Sequence, residues 1–250
     1  MRHVVCIVQA RRRSSRLPDK ILKPLNGQPV LQHVLARCSR IPGIDQVVCA
    51  GVDDPYEAPV RDLAEALGVG VFAGSEADVL ARYRHAADAA GASHVMRVTA
   101  DCPLLDPVVA GDLIAAFFDS DADFAISRGF PHGLDCEIFT QDLLRRAHDA
   151  AEDALDREHV TLWMKRQTDM RRAELKPDPP PTHAERWVLD YPEDYRFLQA
   201  LFDVLGPSGA QAGWRHIQAV LDDRPDLRAI NAARAQDWRA ANAEVHARRQ

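Results

Sequence analysis

Short apolar runs alternate along the chain with longer segments in which apolar residues recur every three or four positions. The first pattern is typical of buried strands and the second of amphipathic helices. The first half of the chain is predicted to contain strands at residues 4–8, 46–51, 69–73 and 94–99, and helices at residues 30–40, 57–68, 78–90 and about 107–120. Because strands and helices alternate, we expect a parallel sheet with helices on both faces, a Rossmann-like α/β unit.

The alternation becomes less regular after residue 127. The second half is predicted to contain strands at residues 123–127, 135–139, 171–175 and 187–189, and helices at residues 141–151, 158–166, from a cap signal at 190–194 to about 205, 214–221, and from 225 to the chain end. The proline-rich stretch at 176–181 predicts a surface connection. We therefore expect one domain over residues 1–205 and a C-terminal helical tail over residues 206–250.

Composition narrows the class of protein. A chain of 250 residues with 46% hydrophobic residues can bury one large α/β core. The formal net charge of −6 argues against nucleic acid or an anionic membrane as a partner. The five cysteines are widely spaced and never form a C-x-x-C pair, so neither a disulfide framework nor a zinc site is predicted. Since no apolar run approaches the ~18 residues of a membrane span, we expect a soluble, cytoplasmic protein.

A strongly basic loop follows the first predicted strand. Residues 9–25 read Q-A-R-R-R-S-S-R-L-P-D-K-I-L-K-P-L. A strand that opens into a loop and then a helix directs backbone N–H groups at one spot, where Arg11, Arg16 and Lys20 add full charges. Charge alone also fits a solvated surface, so the order R-L-P-D-K matters as much as the charge. The loop predicts a polyphosphate site.

Two aspartates each follow a predicted strand. Asp101 comes after the strand at 94–99, and Asp190 after the strand at 187–189. Ligands of open α/β sheets bind outside the carboxyl ends of the strands, so we expect the basic loop and the turn at 100–103 to share one edge. Two carboxylates and phosphate oxygens suffice for Mg²⁺. Taken singly, each aspartate also fits a turn or a helix cap.

Short motifs of distinctive spacing run in order along nearly the whole chain. They are Q-A-R-x-x-S-S-R-L-P-x-K-x-L-K-P-L at 9–25, G-S-E-x-D-V-L-x-R-Y at 74–83, R-V-T-A-D-C-P-L-L-D-P at 97–107, G-L-D-x-E at 133–137, R-E-H-V-T at 157–161, R-W-x-x-D-x-P-E-D at 186–194 and P-D-L-R-A-I-N at 225–231. Together they resemble the cytidylyltransferase family that includes the spore-coat polysaccharide protein SpsF and the synthetases of CMP-activated sialic-acid-like sugars.

The resemblance implies a fold, a reaction and a set of site residues. The fold would be a three-layer α/β/α, nucleotide-diphospho-sugar transferase-like domain with a mixed, mostly parallel sheet, and the reaction a Mg²⁺-dependent transfer of CMP from CTP to a sugar acid of the nonulosonate type. Arg16 and Lys20 would stabilise the leaving pyrophosphate, and Asp101 and Asp190 would hold the metal. The nucleotide would contact Gln9, Ala10, Arg11, Ser14, Ser15, Ser75, Asp78, Arg82, Thr99 and Ala100. The acceptor would face Asp135, Glu137, Arg157 and His159.

Relatives in this family often dimerise, and the resemblance implies a homodimer here, with residues 128–161 as the expected interface. Relatives also usually have glycine where this chain has Arg13 and Asp19. Glycine in a phosphate loop allows a positive φ or a close backbone approach. The side chain of Arg13 would instead reach the phosphates, and Asp19 would weaken binding unless it pairs with Arg12 or Arg13.

Other functions fit parts of the sequence. A glycosyltransferase that uses a nucleotide-sugar donor would need a D-x-D motif, and Asp121-Ala-Asp123 has that spacing. A nucleotide-binding module without turnover is suggested by Arg13 and Asp19. Cys102 is a weak candidate nucleophile because an apolar-flanked cysteine is usually inert packing. The group at 132–136 with His, Asp and Cys matches no common metal-ligand spacing.

Overall fold

A seven-stranded sheet forms the centre of the computed structural model, which describes residues 2–183 and 185–234. The strands in chain order are β1 Val4–Gln9, β2 Pro24–Leu25, β3 Gln28–Pro29, β4 Gln46–Val52, β5 Gly70–Gly74, β6 His94–Thr99, β7 Phe124–Ser127, β8 Glu137–Thr140 and β9 Arg172–Leu175. The sheet order is β5-β4-β1-β6-β8-β7-β9, while β2 and β3 form a separate hairpin. β8 is antiparallel to both its neighbours and the other pairs are parallel, so the expected mixed, mostly parallel sheet is confirmed.

The helices follow the strands closely. They are α1 Val30–Cys38, α2 Ala58–Ala66, α3 Val79–Ala89, α4 Pro107–Asp119, α5 Gln141–Ala150, α6 Ala154–His159, α7 Leu162–Arg166, α8 Pro192–Leu205, α9 Trp214–Asp223 and α10 Pro225–Ala229. Side chains of Asp78, Asp106 and Thr140 accept backbone N–H bonds at the starts of α3, α4 and α5. Such residues are favoured at this position because they satisfy N–H groups that lack a partner within the helix.

Helices cover both faces of the sheet because the central strands are apolar on both sides. In β1, Cys6 and Val8 pack on one face with residues of α1 and α4. Val5 and Ile7 pack on the other face with residues of α3 and α5. Parallel strands buried on both faces have continuous apolar sequences, which explains the apolar run before Gln9. The three-layer α/β/α architecture is confirmed.

A third apolar cluster joins α8, α9 and α10 to this unit. Buried residues of these helices, such as Trp214, Ile217 and Leu227, pack in one cluster with Leu104 and Trp187. The described part of the segment 206–250 thus packs against the α/β unit. The rest of the helix expected at the chain end falls mainly on residues 235–250, outside the described residues. No described helix is long and apolar enough to cross a membrane.

Two predicted elements are wrong. The single helix expected at 158–166 is divided into α6 and α7 at Val160, whose φ is 61°. A right-handed helix cannot continue through a positive φ. The strand expected at 187–189 is absent from the described structure, where an isolated bridge joins His132 to Arg186 just before it. In addition, β8 begins at Glu137, two residues later than expected.

Candidate active site

The loops that follow β1, β4, β5 and β6 meet at one edge of the sheet because these strands are parallel. We call this edge the carboxyl edge; it includes the basic loop at residues 10–20, Asp54, Glu76 and Asp101. β8 runs in the opposite direction, so its first residue, Glu137, lies at the same edge. Residues predicted to bind the nucleotide, the metal and the acceptor therefore come from segments that reach the carboxyl edge.

Lys20 joins the two candidate metal-binding carboxylates. Its ammonium group lies 2.7 Å from Asp101 Oδ2 and 2.9 Å from Asp190 Oδ1, and its side chain is 12% exposed. Arg16 also contacts the carboxylate of Asp190. Burial opposes the charge on Lys20, but the two carboxylates outweigh burial and raise its pKa. Burial likewise opposes the charge on Asp101, but Lys20 lowers the pKa of Asp101 to about 2.

The arrangement of Asp101 and Asp190 fits a divalent cation. Both carboxylates converge on one cationic nitrogen, and the N–H of Leu189 donates to the carbonyl oxygen of Asp101 at 2.8 Å, which joins the two segments. Within residues 2–183 and 185–234, no group of three or more His, Cys, Asp and Glu side chains is placed to hold a metal. Mg²⁺ keeps several waters and takes phosphate oxygens, so two protein carboxylates are sufficient for it.

The basic loop lines an open cleft of about 530 Å³. The lining residues are Arg11, Arg12, Arg13, Ser14, Ser15, Pro18, Tyr56 and Glu76. Arg11 is exposed, and no ion pair of its side chain is found in the described part of the chain. Ser15 is also exposed. The cleft therefore offers an accessible cation and hydroxyl, as binding of a polyphosphate requires.

Asp19 has a positive φ of 55°. Glycine adopts this conformation without strain, and aspartate tolerates it better than most residues. The carboxylate accepts a hydrogen bond from Arg12 Nε at 2.8 Å and another from the Tyr56 hydroxyl at 3.2 Å. Arg12 therefore compensates the negative charge that Asp19 brings to the loop.

Arg13 ties together loops that follow three adjacent strands. Its Nη1 lies 2.8 Å from Asp54 Oδ2, after β4, and 3.1 Å from Glu76 Oε2, after β5. The φ of Arg13 is not positive, so this position does not need the conformational freedom of glycine. The side chain instead spans one wall of the cleft, and its contact with phosphates stays a prediction.

Ser75, Asp78 and Arg82 lie together at the end of β5 and the start of α3. The Ser75 hydroxyl accepts the N–H of Asp78 at 3.0 Å, and the Asp78 carboxylate caps α3. Arg82 is buried and donates to the carbonyl oxygen of Ser75 at 3.0 Å. Hydrogen bonds thus join the three residues beside the basic loop. Residues that bind one nucleotide together would need to lie this close to each other.

The ends of β1 and β6 bring Gln9, Ala10, Thr99 and Ala100 together. The N–H of Ala100 donates to the carbonyl oxygen of Gln9 at 3.0 Å. Ala10 is buried directly after Gln9. The side-chain Oε1 of Gln9 is buried and has no hydrogen-bond partner among the described residues. Buried polar atoms are rarely left unpaired, so a ligand donor could satisfy this oxygen only if the packing around it opened.

Glu137 is buried, and its carboxylate holds several neighbours in place. It accepts hydrogen bonds from the Thr161 hydroxyl at 2.9 Å and from Arg97 at 3.2 Å, and it contacts Lys165. Burial opposes its charge, but Lys165 and Arg97 lower its pKa overall. Sequence motifs did not identify Lys165, because α7 carries no distinctive spacing around it.

The other predicted acceptor residues lie on two segments, one before β8 and the other in α6. Asp135 lies two residues before β8 with part of its side chain exposed, and the groups packed around its carboxyl raise its pKa to about 6 by desolvation. Arg157 donates to Asp78 Oδ2 at 3.1 Å and so connects α6 with the start of α3. His159 is the exposed last residue of α6. The structure thus places Asp135 near Glu137 and Arg157 next to Asp78.

Glu57, which the sequence did not single out, holds the backbone of the basic loop at Arg12. Its carboxylate is fully buried, and both oxygens accept the backbone N–H of Arg12, at 3.0 and 2.9 Å. The sequence placed Glu57 at the start of a helix, where a carboxylate is ordinarily exposed. No motif marks it, because its burial results from the contact between two loops distant in sequence.

The alternative chemistries find no support at the carboxyl edge. Asp121 and Asp123 precede β7, which is parallel to β1, so they lie at the opposite edge of the sheet. Burial raises the pKa of the Cys102 thiol, which disfavours a nucleophilic thiolate. The residues at 132–136 form no metal cluster among the described residues.

Proteins of similar sequence and fold match most of this chain. A family model described as cytidylyltransferase matches residues 5–212. The spore coat polysaccharide biosynthesis protein SpsF of Bacillus subtilis is 30% identical over 214 residues, which are 82% of this chain and 89% of SpsF. A 3-deoxy-manno-octulosonate cytidylyltransferase of Anaeromyxobacter is 36% identical over 118 residues, 46% of this chain and 48% of that protein. A solved cytidylyltransferase structure from Leptospira borgpetersenii is 26% identical, with a TM-score of 0.86 over 91% of this chain and 97% of its own.

Proposed function

Because this chain belongs to the cytidylyltransferase family and is a CTP-dependent nucleotidyltransferase, we propose that it transfers CMP from CTP to a hydroxyl group of a sugar acid. In this proposal the acceptor is of the nonulosonate type, pyrophosphate is released and Mg²⁺ is required. An acidic sugar as acceptor is supported by the relative named 3-deoxy-manno-octulosonate cytidylyltransferase.

The basic loop would bind the triphosphate. Arg11 is exposed in the cleft, Ser14 and Ser15 line the same cleft, and Arg16 and Lys20 lie beside Asp190. Cations that are already in place stabilise the charge that develops on pyrophosphate at little reorganisation cost. The unpaired oxygen of Gln9 would accept a hydrogen bond from the nucleotide.

Asp101 and Asp190 would hold the Mg²⁺ ion. When bound, the ion supplies Lewis acidity and reduces the negative charge that repels the incoming hydroxyl. Lys20 contacts the same two carboxylates and therefore competes with a metal for them. In the loaded enzyme its ammonium would instead neutralise phosphate oxygens.

The acceptor hydroxyl would attack the α-phosphorus directly. A bond forms between the hydroxyl oxygen and the α-phosphorus, the bond from that phosphorus to pyrophosphate breaks, and the hydroxyl proton passes to water. Positioning of the two substrates would supply much of the rate enhancement. Asp135, Glu137, Arg157 and His159 are the residues that we expect on the acceptor side.

The convergence of Asp101 and Asp190 on Lys20, next to the basic loop, carries this proposal. The test incubates the protein with Mg²⁺, each of the four NTPs and a panel of sugar acids, and measures pyrophosphate release and the CMP-sugar by mass spectrometry. We expect both products only with CTP and a sugar acid, and a loss of at least ~100-fold in Asp101→Asn. Full activity of Asp101→Asn would refute the assignment of Asp101. Tight CTP binding without pyrophosphate release would favour a binding module.

We also propose a homodimer with its interface in residues 128–161. Leu155 of α6 lies in this segment and is 50% exposed. Light scattering should give twice the monomer mass for the wild type and the monomer mass for Leu155→Glu. A monomeric wild type at micromolar concentration would rule out the dimer.

A further inference from the structure

Asp194, on the first turn of α8, is a fully buried carboxylate with an unusually complete set of donors. The guanidinium group of Arg186 donates two hydrogen bonds to it, at 2.9 and 3.0 Å. The backbone N–H groups of Asp190 and Tyr191 donate at 3.0 and 2.9 Å. The side-chain amide of Asn231 donates at 3.0 Å. Burial of a carboxylate costs free energy unless its oxygens accept hydrogen bonds. Removal of any one donor should therefore destabilise the folded protein.

Asp194 orients the segment that carries Asp190. Two of its hydrogen bonds come from the backbone of Asp190 and of the next residue, Tyr191. The guanidinium group of Arg186, which is paired with Asp194, also lies 3.8 Å from the carboxylate of Asp190. A displacement of Asp194 would therefore displace one of the two carboxylates that contact Lys20.

Asn231 reaches Asp194 from the C-terminal segment, just after α10. Its side chain is buried, and its Nδ2 donates to Asp194 Oδ1 at 3.0 Å and to the carbonyl oxygen of Arg186 at 2.9 Å. Both partners are acceptors, so the amide nitrogen, and not the oxygen, must face them. A single amide thus connects α8 with the segment that precedes Asp190.

Arg228 of α10 holds the same segment at a second point. It donates to Glu185 Oε1 at 2.9 and 2.8 Å, and Glu185 also accepts the indole N–H of Trp187 at 2.7 Å. Arg228 lies in α10 and Asn231 lies two residues after its end, so both come from one short segment. The C-terminal segment therefore holds the residues on both sides of Arg186.

We propose that Asn231 is a positioning residue for Asp190, so that the C-terminal segment is part of the metal-binding apparatus. The inference rests on the proposed function, because it takes Asp190 as a metal ligand. It assigns a physical role to the motif P-D-L-R-A-I-N at residues 225–231. In this role Asn231 touches neither substrate and acts through the carboxylate of Asp194.

The test compares Asn231→Leu with a matched control in the same segment. Asn231→Leu keeps the approximate size of the side chain and removes both donated hydrogen bonds. Arg224→Ala removes an exposed ion pair with Asp226 and leaves Asp194 untouched. Two quantities are measured on the full chain: Mn²⁺ binding in the presence of CTP, by electron paramagnetic resonance, and the Mg²⁺ concentration that gives half-maximal pyrophosphate release.

Loss of a group that orients a metal ligand weakens metal binding by 10–100-fold. We therefore expect Asn231→Leu to weaken Mn²⁺ binding and to raise the half-maximal Mg²⁺ concentration by roughly tenfold, whereas Arg224→Ala resembles the wild type. If Asn231→Leu has a lower melting temperature but binds Mn²⁺ as the wild type does, Asn231 has only a structural role, and the proposal is wrong.

If Asn231→Leu does not fold, the same measurement is made on Asn231→Ser. Serine is smaller than asparagine and keeps one hydrogen-bond donor, so this variant should fold more readily. We expect this variant to weaken Mn²⁺ binding too, and wild-type binding would contradict the proposal. A wild-type protein that binds Mn²⁺ with CTP but releases no pyrophosphate with any sugar acid would contradict the proposed reaction instead. The Mn²⁺ measurement on the variants would then still test the positioning role of Asn231.

Discussion

The backbone N–H of Leu189 donates to the carbonyl oxygen of Asp101 at 2.8 Å. This hydrogen bond joins the segment after β6 to the segment before α8 through main-chain atoms alone. The distance between these segments therefore does not depend on the side chains of Lys20, Asp101 or Asp190. Substitution of those side chains should change the electrostatics of the site more than its fold.

Lys20→Met is expected to reduce kcat/KM for CTP by at least ~100-fold, because a fixed cation is lost at the developing charge. It should also increase the rise in melting temperature that Mg²⁺ produces, since the ammonium no longer competes for the two carboxylates. Thermal unfolding with and without Mg²⁺ checks the second effect. Lys23→Met, three residues after Lys20 and without an ion pair in the described ranges, is the control. An equal Mg²⁺ effect in Lys20→Met and wild type would contradict competition.

Arg13→Gly removes the bridge from Arg13 to Asp54 and Glu76. We expect the KM for CTP to rise severalfold while kcat changes little, because the bridge shapes the cleft and does not touch the α-phosphate. Stability should change little, as for other exposed ion pairs. Steady-state kinetics checks this split, and Arg171→Gly at the opposite edge serves as the control. An unchanged KM would mean that the bridge has no part in CTP binding.

Gly133→Ala should destabilise the protein by about 3 kcal/mol, from backbone strain and overpacking together. Gly133 has a φ of 112°, and an added Cβ would lie 2.9 Å from the carbonyl carbon of Trp187. Gly91→Ala is the matched control, because Gly91 also has a positive φ, 63°, but open space around it. We expect about 1 kcal/mol for this control. Urea unfolding measures both, and equal losses would exclude the contact with Trp187 as the cause.

Asp135→Asn should stabilise the protein at pH 7.5 and have little effect at pH 4. The pKa of Asp135 is raised from 3.8 to about 6 by desolvation, so the folded protein binds this proton more tightly than the unfolded chain does. Its contribution to stability is therefore full below pH 3.8 and is lost as the pH rises through about 6. Melting temperatures of wild type and variant at the two pH values check this. A stability difference that does not vary with pH would contradict the raised pKa.

The sequence predicted the first half of the fold better than the second half. Strands such as β1 are buried on both faces, and their uninterrupted apolar residues distinguish them from helices. The segment at 187–189 has the same apolar character, but its main chain bonds to His132 and Asp101 at single points and forms no ladder in the described structure. Apolar composition therefore predicted its burial and not its backbone pairing.

The candidate site was predictable where side chains are arranged along one short segment. The order of cations in the basic loop and a position after a strand predicted that Arg16, Lys20 and Asp101 share one site, and the structure places them together around Asp190. Glu57 and Asn231 were not predictable in the same way, because their roles depend on contacts with residues distant in sequence. The positive φ of Val160 was equally hidden, since valine favours extended conformations and carries no turn signal.

β8 is the one antiparallel strand of the seven-stranded sheet. This reversal separates sequence changes on the proposed acceptor side from those on the proposed nucleotide side. Strands β1, β5 and β6 present their ends to the proposed nucleotide side, whereas β8 presents its beginning to the proposed acceptor side. Outside the tightly packed Gly133, the loop before β8 can therefore change without shifting the register of the strands that carry the basic loop and Asp101. A lineage of such enzymes could acquire new acceptors by exchanging that loop while it retains one nucleotide donor, and an engineer could use the same boundary to graft acceptor specificity between relatives.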